Sequence, residues 1–204
     1  MRLRTISAPD WLPSIYQTRE EWLRAGVKAL APWYESNGYP IPATVQVSCG
    51  LPHIGAFSAK SKRIGECWSP KASADHRTQI FVSPVLDDPE QVLDVLCHEL
   101  VHAIVGNEAG HKAPFTRAAR ACGLTEGKPT SASAGDELRT ELARVSKGLG
   151  TYPHGALRGR PSKKQSTRML KVLCPDCGYT VRTTAKWIEV GLPVCPCGSD
   201  MVEG

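Results

Sequence analysis

Apolar residues recur at helical spacing in several stretches of this chain. Trp22, Leu23, Val27, Leu30, Trp33 and Tyr34 follow Thr18-x-x-Glu21, a capping box, and predict a helix running to about Glu35 before Asn37-Gly38. Val92, Leu93, Leu96, Leu100, Val101 and Ile104 predict another, with Asp87 or Asp88 as its cap, Pro89 in its first turn and Gly106 as its stop. Ala113 to Cys122 reads as a short helix closed by Gly123, and Leu138, Leu142 and Val145 mark a further one from Glu137 to Lys147. Between the first two helices the period changes to two. Val45, Val47 and Cys49 alternate with Thr44, Gln46 and Ser48, which is a half-buried strand over 43–49. A second strand is expected from Lys62 to Trp68, with Ile64 and Trp68 on one face. Thr78 to Ser83 predicts a third, and its unbroken Ile80-Phe81-Val82 implies burial on both faces. The order helix, three strands, helix implies an α+β fold, a small mixed sheet with helices packed on it.

Length and charge divide the chain. At 204 residues, one medium domain and a small appendage are expected. Residues 1–146 hold 16 basic and 16 acidic residues, while residues 147–204 hold nine and four, so the whole formal excess of +5 lies in the tail. Residues 148–168, rich in Gly, Pro, Ser and basic side chains, read as a linker, although Tyr152-Pro153-His154 could dock on the core. The expected organisation is a first domain over 1–147, a basic linker over 148–168 and a small module over 169–204. The basic run suits either a solvated linker or a phosphate backbone, which makes DNA an expected partner. No stretch has the length of a membrane span and the N-terminus lacks an apolar leader core, so no membrane is expected and the compartment is expected to be intracellular, cytoplasmic or nucleoid-associated.

Cysteine and histidine spacing supply the chemistry. Cys49, Cys67, Cys97 and Cys122 are scattered and read as buried thiols. Cys174-x-x-Cys177 and Cys195-x-Cys197 form C-x2-C-x17-C-x-C, one residue short of the usual ribbon in its second pair. Four thiolates make a closed structural zinc site, and a module this small needs such a metal to fold. Tyr179, Val181 and Trp187 are expected to pack its core, with Arg182 and Lys186 available to nucleic acid. His98-Glu99-Leu100-Val101-His102 places two imidazoles one turn apart on a helix, about 5–6 Å apart at Cβ, where they can share one Zn²⁺. The third ligand is His111, brought back by Gly106 and Gly110, or Glu108. His53, His76 and His154 lack ligand spacing and read as surface histidines. The metal would lower the pKa of a bound water from about 15.7 toward about 7, and Glu99 would take that water's proton and later pass it to the leaving amine.

His98-Glu99-Leu100-Val101-His102 followed by His111-Lys112-Ala113-Pro114-Phe115 resembles the SprT-like metalloproteases, the family that includes Spartan. Lys112 stands where that family usually has Gly. The resemblance covers roughly residues 18–125 and favours His111 over Glu108 as the third ligand. It implies a zincin-like metalloprotease core with a C-terminal zinc ribbon, a protein substrate and an association with DNA.

The expected function is a zinc metalloendopeptidase, a hydrolase of peptide bonds in protein substrates, DNA-associated ones included. Glu99 would be the general base, with a catalytic zinc on His98, His102 and His111 and a structural zinc on Cys174, Cys177, Cys195 and Cys197. The alternative is a non-catalytic zinc-binding, DNA-binding or transcription-associated protein. A weaker third reading is a zinc hydrolase acting on a small amide.

Overall fold

Thr18 starts the first helix as its capping box requires. Its side chain accepts from the Glu21 amide at 3.2 Å, and the Glu21 carboxylate reaches back to the Thr18 amide at 3.2 Å. Helix α1 then spans Arg19–Ser36 and turns Trp22, Leu23, Leu30 and Tyr34 fully inward. The computed structural model describes residues 15–55, 63–159 and 168–204. Within them the chain divides into two units, Met1–Pro161 and Ser162–Gly204.

In the first unit, strands β1 (Gln46–Cys49), β2 (Gly65–Trp68) and β3 (Gln79–Val82) form a mixed sheet of order β1-β3-β2. β1 runs parallel to β3, with Val47 opposite Ile80, and β2 runs antiparallel to it, with Cys67 opposite Ile80. Val47, Ile80 and Val82 face the helices and are buried. The expectation of burial on both faces of β3 is corrected: Phe81 is only half-buried, because the helices cover one face of the sheet. Phe81 instead lies against Gly50, where an added Cβ would stand 2.8 Å from its ring. β2 is an edge strand, and Trp68 at its end is exposed. The expected start of β2 at Lys62 lies outside the described residues.

Helix α2 (Pro89–Val105) is the spine of this unit. Asp88, not Asp87, caps it by accepting from the Gln91 amide at 2.8 Å. Val92, Leu93, Leu96, Leu100 and Val101 are completely buried, each stabilising the fold by roughly 1.5–3 kcal/mol relative to exposure. α1 crosses α2 at Gly26, where a Cβ would be 3.2 Å from Leu93 Cδ2, and the Tyr34 hydroxyl donates to the Cys97 carbonyl at 2.9 Å. Helices α3 (Ala113–Ala121) and α4 (Asp136–Leu149) complete the layer.

The basic linker begins later than its composition suggests. Gly148 and Leu149 complete α4, and the next residues are held on the core. Tyr152 is fully buried, edge-on to Trp22 at 4.9 Å. Arg19, itself buried, donates to the carbonyls of Pro153 at 3.1 Å and Gly155 at 2.6 Å, and the Leu157 amide donates to the Pro84 carbonyl at 2.7 Å. Asp87, free of capping duty, accepts from the Ala156 amide at 3.0 Å.

In the second unit, β4 (Met169–Leu173), β5 (Thr180–Thr184) and β6 (Val202–Glu203) form an antiparallel sheet of order β5-β4-β6, with helix α5 (Ala185–Val190) following β5. Its core is Val172, Cys174, Cys195 and Met201, with Val181 and Ile188 against them. The expectation that Tyr179 and Trp187 pack this core is corrected, since both are about half exposed. A unit this thin cannot enclose large rings, so a valine, an isoleucine and a methionine do the packing around the sulfurs. Among the described residues no helix is long and apolar enough to cross a membrane.

Candidate metal centre and cleft

α2 places His98 and His102 one turn apart on one face, and Gly106 and Gly110, both with positive φ (85° and 49°), turn the chain back toward them. Asn107 ties that turn to the edge strand, donating from Nδ2 to the Cys67 carbonyl at 2.5 Å. His111 then meets both histidines: its Nε2 lies 3.2 Å from His98 Nε2 and 3.1 Å from His102 Nε2. Metal–nitrogen bonds of about 2.0–2.1 Å at tetrahedral angles put ligand nitrogens about 3.4 Å apart, so the three atoms are spaced to share one ion. Glu108 takes no part: it is exposed and pairs with Lys71 Nζ at 3.0 Å.

The surroundings keep these imidazoles ligand-ready. Burial first, then the neighbouring histidines, pushes His102 down to about 3, and burial also lowers His98 and His111. Neutral rings are what a metal needs. The Ala132 carbonyl accepts from His98 Nδ1 at 3.1 Å, which leaves the Nε2 lone pair for the centre. Phe115 of α3, completely buried, is the floor, with its ring 4.4–5.0 Å from all three imidazoles.

Glu99 is 7 % exposed and lines two adjoining clefts, one of about 340 Å³ with all three histidines and one of about 260 Å³ walled by Thr130–Ser133. Burial, and then the negative charge of Glu66, raises its carboxyl to about 8, while Arg63 pulls the other way. A cation at the histidine centre would draw it back toward the carboxylate. Glu99 has its room because of Gly65 on β2. A Cβ there would lie 2.5 Å from Glu99 Oε1 and 2.7 Å from Val95 Cγ1.

Several residues of this site carry no ligand-like spacing in the sequence. Ala132 and Thr130 lie in a stretch that reads only as polar loop, held in place where Asp94 accepts from the Ala134 amide at 2.8 Å. The signal for Gly65 was a glycine inside a strand, which marks close approach of another group. His53, expected at the surface, is half exposed but binds Glu66 through Nδ1 and stacks edge-on to Trp68. His76 and His154 are exposed. Of the scattered cysteines, Cys97 and Cys122 are buried as expected, whereas Cys49 and Cys67 are only partly so.

In the second unit, Cys174, Cys177, Cys195 and Cys197 bring all four sulfurs within 4.8 Å of one another. Cys174 lies 3.6 Å from Cys197 and Cys177 lies 3.5 Å from Cys195, near the spacing of about 3.8 Å that metal–sulfur bonds of about 2.3 Å require. Gly178 and Gly198, both at positive φ, close the two turns, so the shorter second pair still delivers its sulfurs. Each cluster can therefore hold a metal ion. Compared with known proteins, the chain matches no protein-family model, no curated protein and no solved structure.

Proposed function

We propose that the chain is a zinc-dependent metallopeptidase of the SprT-like kind, with a zincin-like core in its first unit and a structural zinc ribbon in its second. The observation that carries this reading is Glu99: a buried carboxylate beside three converged imidazoles, in a cleft open to substrate. A purely structural site has no use for such a group. Zinc on His98, His102 and His111 would supply Lewis acidity to a carbonyl and to water. Glu99 takes a proton from water in the cleft and returns it to the departing amine. The alternation of β2 supports a place for the substrate. The Ile64 carbonyl pairs inward with the Ser83 amide, while the Cys67 carbonyl points outward to Asn107, so Gly65 also turns its backbone outward. An extended peptide pairing along that edge lies over Glu99.

The ribbon is read as a nucleic-acid contact. Lys171 and Arg182 stand directly opposite on β4 and β5, a like-charge pairing that weakens a sheet on its own and that a phosphate backbone relieves.

The deciding experiment uses the full chain loaded with zinc, with and without single-stranded DNA, on a protein substrate such as casein. Glu99→Gln is expected to keep the metal and the fold and to lose cleavage. Wild-type cleavage by that variant would refute the mechanism. A zinc-loaded wild type that cleaves nothing, yet binds DNA with a steep salt dependence, would establish the non-catalytic reading instead.

A further inference from the structure

Arg63 is the one lysine or arginine side chain among the described residues that line the two clefts, and it lines both. It is held from behind. Its Nη1 donates to Glu66 Oε1 at 3.1 Å, and Glu66, 9 % exposed, is fixed by three further donors: the His53 amide at 3.2 Å, His53 Nδ1, and Trp68 Nε1 at 3.1 Å. An ordinary surface ion pair is loosely held and worth little. Here the carboxylate is oriented by a turn amide, an indole and an imidazole before it meets the guanidinium. Arg63 carries five N–H donors in a rigid fork, is about half exposed, and keeps donors for the cleft beyond the one given to Glu66.

We propose that Arg63 is a catalytic residue that donates a hydrogen bond to the scissile carbonyl oxygen as that oxygen gains negative charge, with Glu66 and His53 as its positioning residues. This rests on the peptidase reading above. In the step concerned, the water oxygen bonds to the carbonyl carbon, the C=O π pair moves to oxygen, and the water proton goes to Glu99. The pair then returns, the C–N bond breaks, and Glu99 delivers the proton to the amine nitrogen. One water is consumed and nothing is oxidised or reduced. Arg63 serves the interval in which the oxygen is charged, so its contribution falls on kcat. Thr130, whose hydroxyl is an uncharged donor lining both clefts, is the rival for this role.

The test measures kcat and KM for casein cleavage, zinc content and thermal unfolding on the full zinc-loaded chain, for wild type, R63A, R63K and T130V. Loss of one such donor typically costs about 10²–10³ in kcat. R63A is expected to lose that much with zinc content and Tm unchanged and KM within a few-fold. R63K should recover part of the rate, since it returns charge without the fork, and added guanidinium should rescue R63A. T130V should lose far less kcat than R63A. The proposal is overturned if R63A keeps wild-type kcat, if only KM rises, if the loss merely follows zinc or stability, or if T130V takes the large loss instead. A zinc-loaded wild type that cleaves nothing overturns the peptidase reading and this proposal with it. A wild type that cleaves alongside an R63A of equal kcat overturns this proposal alone.

Discussion

Replacing Gly65 with alanine tests the contact on which the centre is built. The new Cβ would stand 2.5 Å from Glu99 Oε1, 2.9 Å from Glu99 Cγ and 2.7 Å from Val95 Cγ1. Val95 is β-branched on a helix and holds a single χ1 well, so it cannot turn aside. Glu99 can, and its carboxylate is what moves. Overpacking of this kind costs about 1–3 kcal/mol, and the stiffer unfolded chain returns about 0.4–1 kcal/mol. The expected net loss is about 1–2 kcal/mol, or roughly 2–8 °C in Tm for a unit of this size. On the proposed peptidase reading the rate should fall much further than the stability, because a general base that is displaced forfeits a contribution of about 10²–10⁴. A double-mutant cycle with Glu99→Ala isolates the contact: removing the carboxylate should relieve part of the strain, with a coupling of about 0.5–3 kcal/mol. Denaturant unfolding of the four proteins, with zinc content and casein cleavage measured alongside, gives every term. A Gly65→Ala protein of wild-type activity, or a cycle additive to within about 0.5 kcal/mol, would refute the reasoning.

Two further outcomes follow from the same geometry. Cys174→Ser in the full chain should bind one zinc fewer and leave residues 169–204 without fixed structure, seen as rapid amide exchange there, while the first unit keeps its protection; unchanged protection of the ribbon would show that it folds without the metal. Burial raises the Glu66 carboxyl, but the hydrogen bonds from His53 and Trp68 outweigh it and leave the group below its ordinary value. Its stabilisation is therefore present above the unfolded value of about 4.3 and is lost as pH falls through the lower folded value. The stability gap between wild type and Glu66→Gln should shrink from pH 7 toward pH 3, and a gap independent of pH would contradict this.

The parts of the structure legible in the sequence are those set by neighbours along the chain. Thr18 and Glu21 fix a helix start within four residues, Asp88 and Pro89 do the same for α2, and His98 and His102 need only one turn of helix to align. His111 was within reach because Gly106 and Gly110 permit one kind of reversal. What stayed hidden depends on contacts between distant segments. Nothing local says that Ala132 will offer its carbonyl to His98, or that Arg63 and Glu66 will stand over the cleft. The ribbon failed for another reason. Aromatic residues normally mark a core, but a small unit organised by four sulfurs has no depth to hide Tyr179 or Trp187.

The clasp at Arg19 has a consequence in time. Three of its acceptors, the carbonyls of Pro153, His154 and Gly155, lie 134 to 136 residues further along, and Trp22 waits 128 residues for the Gly150 carbonyl. A chain being made from its N-terminus exposes α1 long before those partners exist. Until residue 155 has emerged, the buried arginine has only the Pro84 carbonyl and the Cys49 sulfur to receive its hydrogen bonds, and Trp22 lacks the ring of Tyr152 that packs edge-on against it. Pairings of such long sequence separation also close slowly. A product cut short before Gly150 would carry all three histidines and yet lack three of the carbonyls that hold Arg19 and the one that holds Trp22, so its α1 is expected to be less firmly held than in the whole chain.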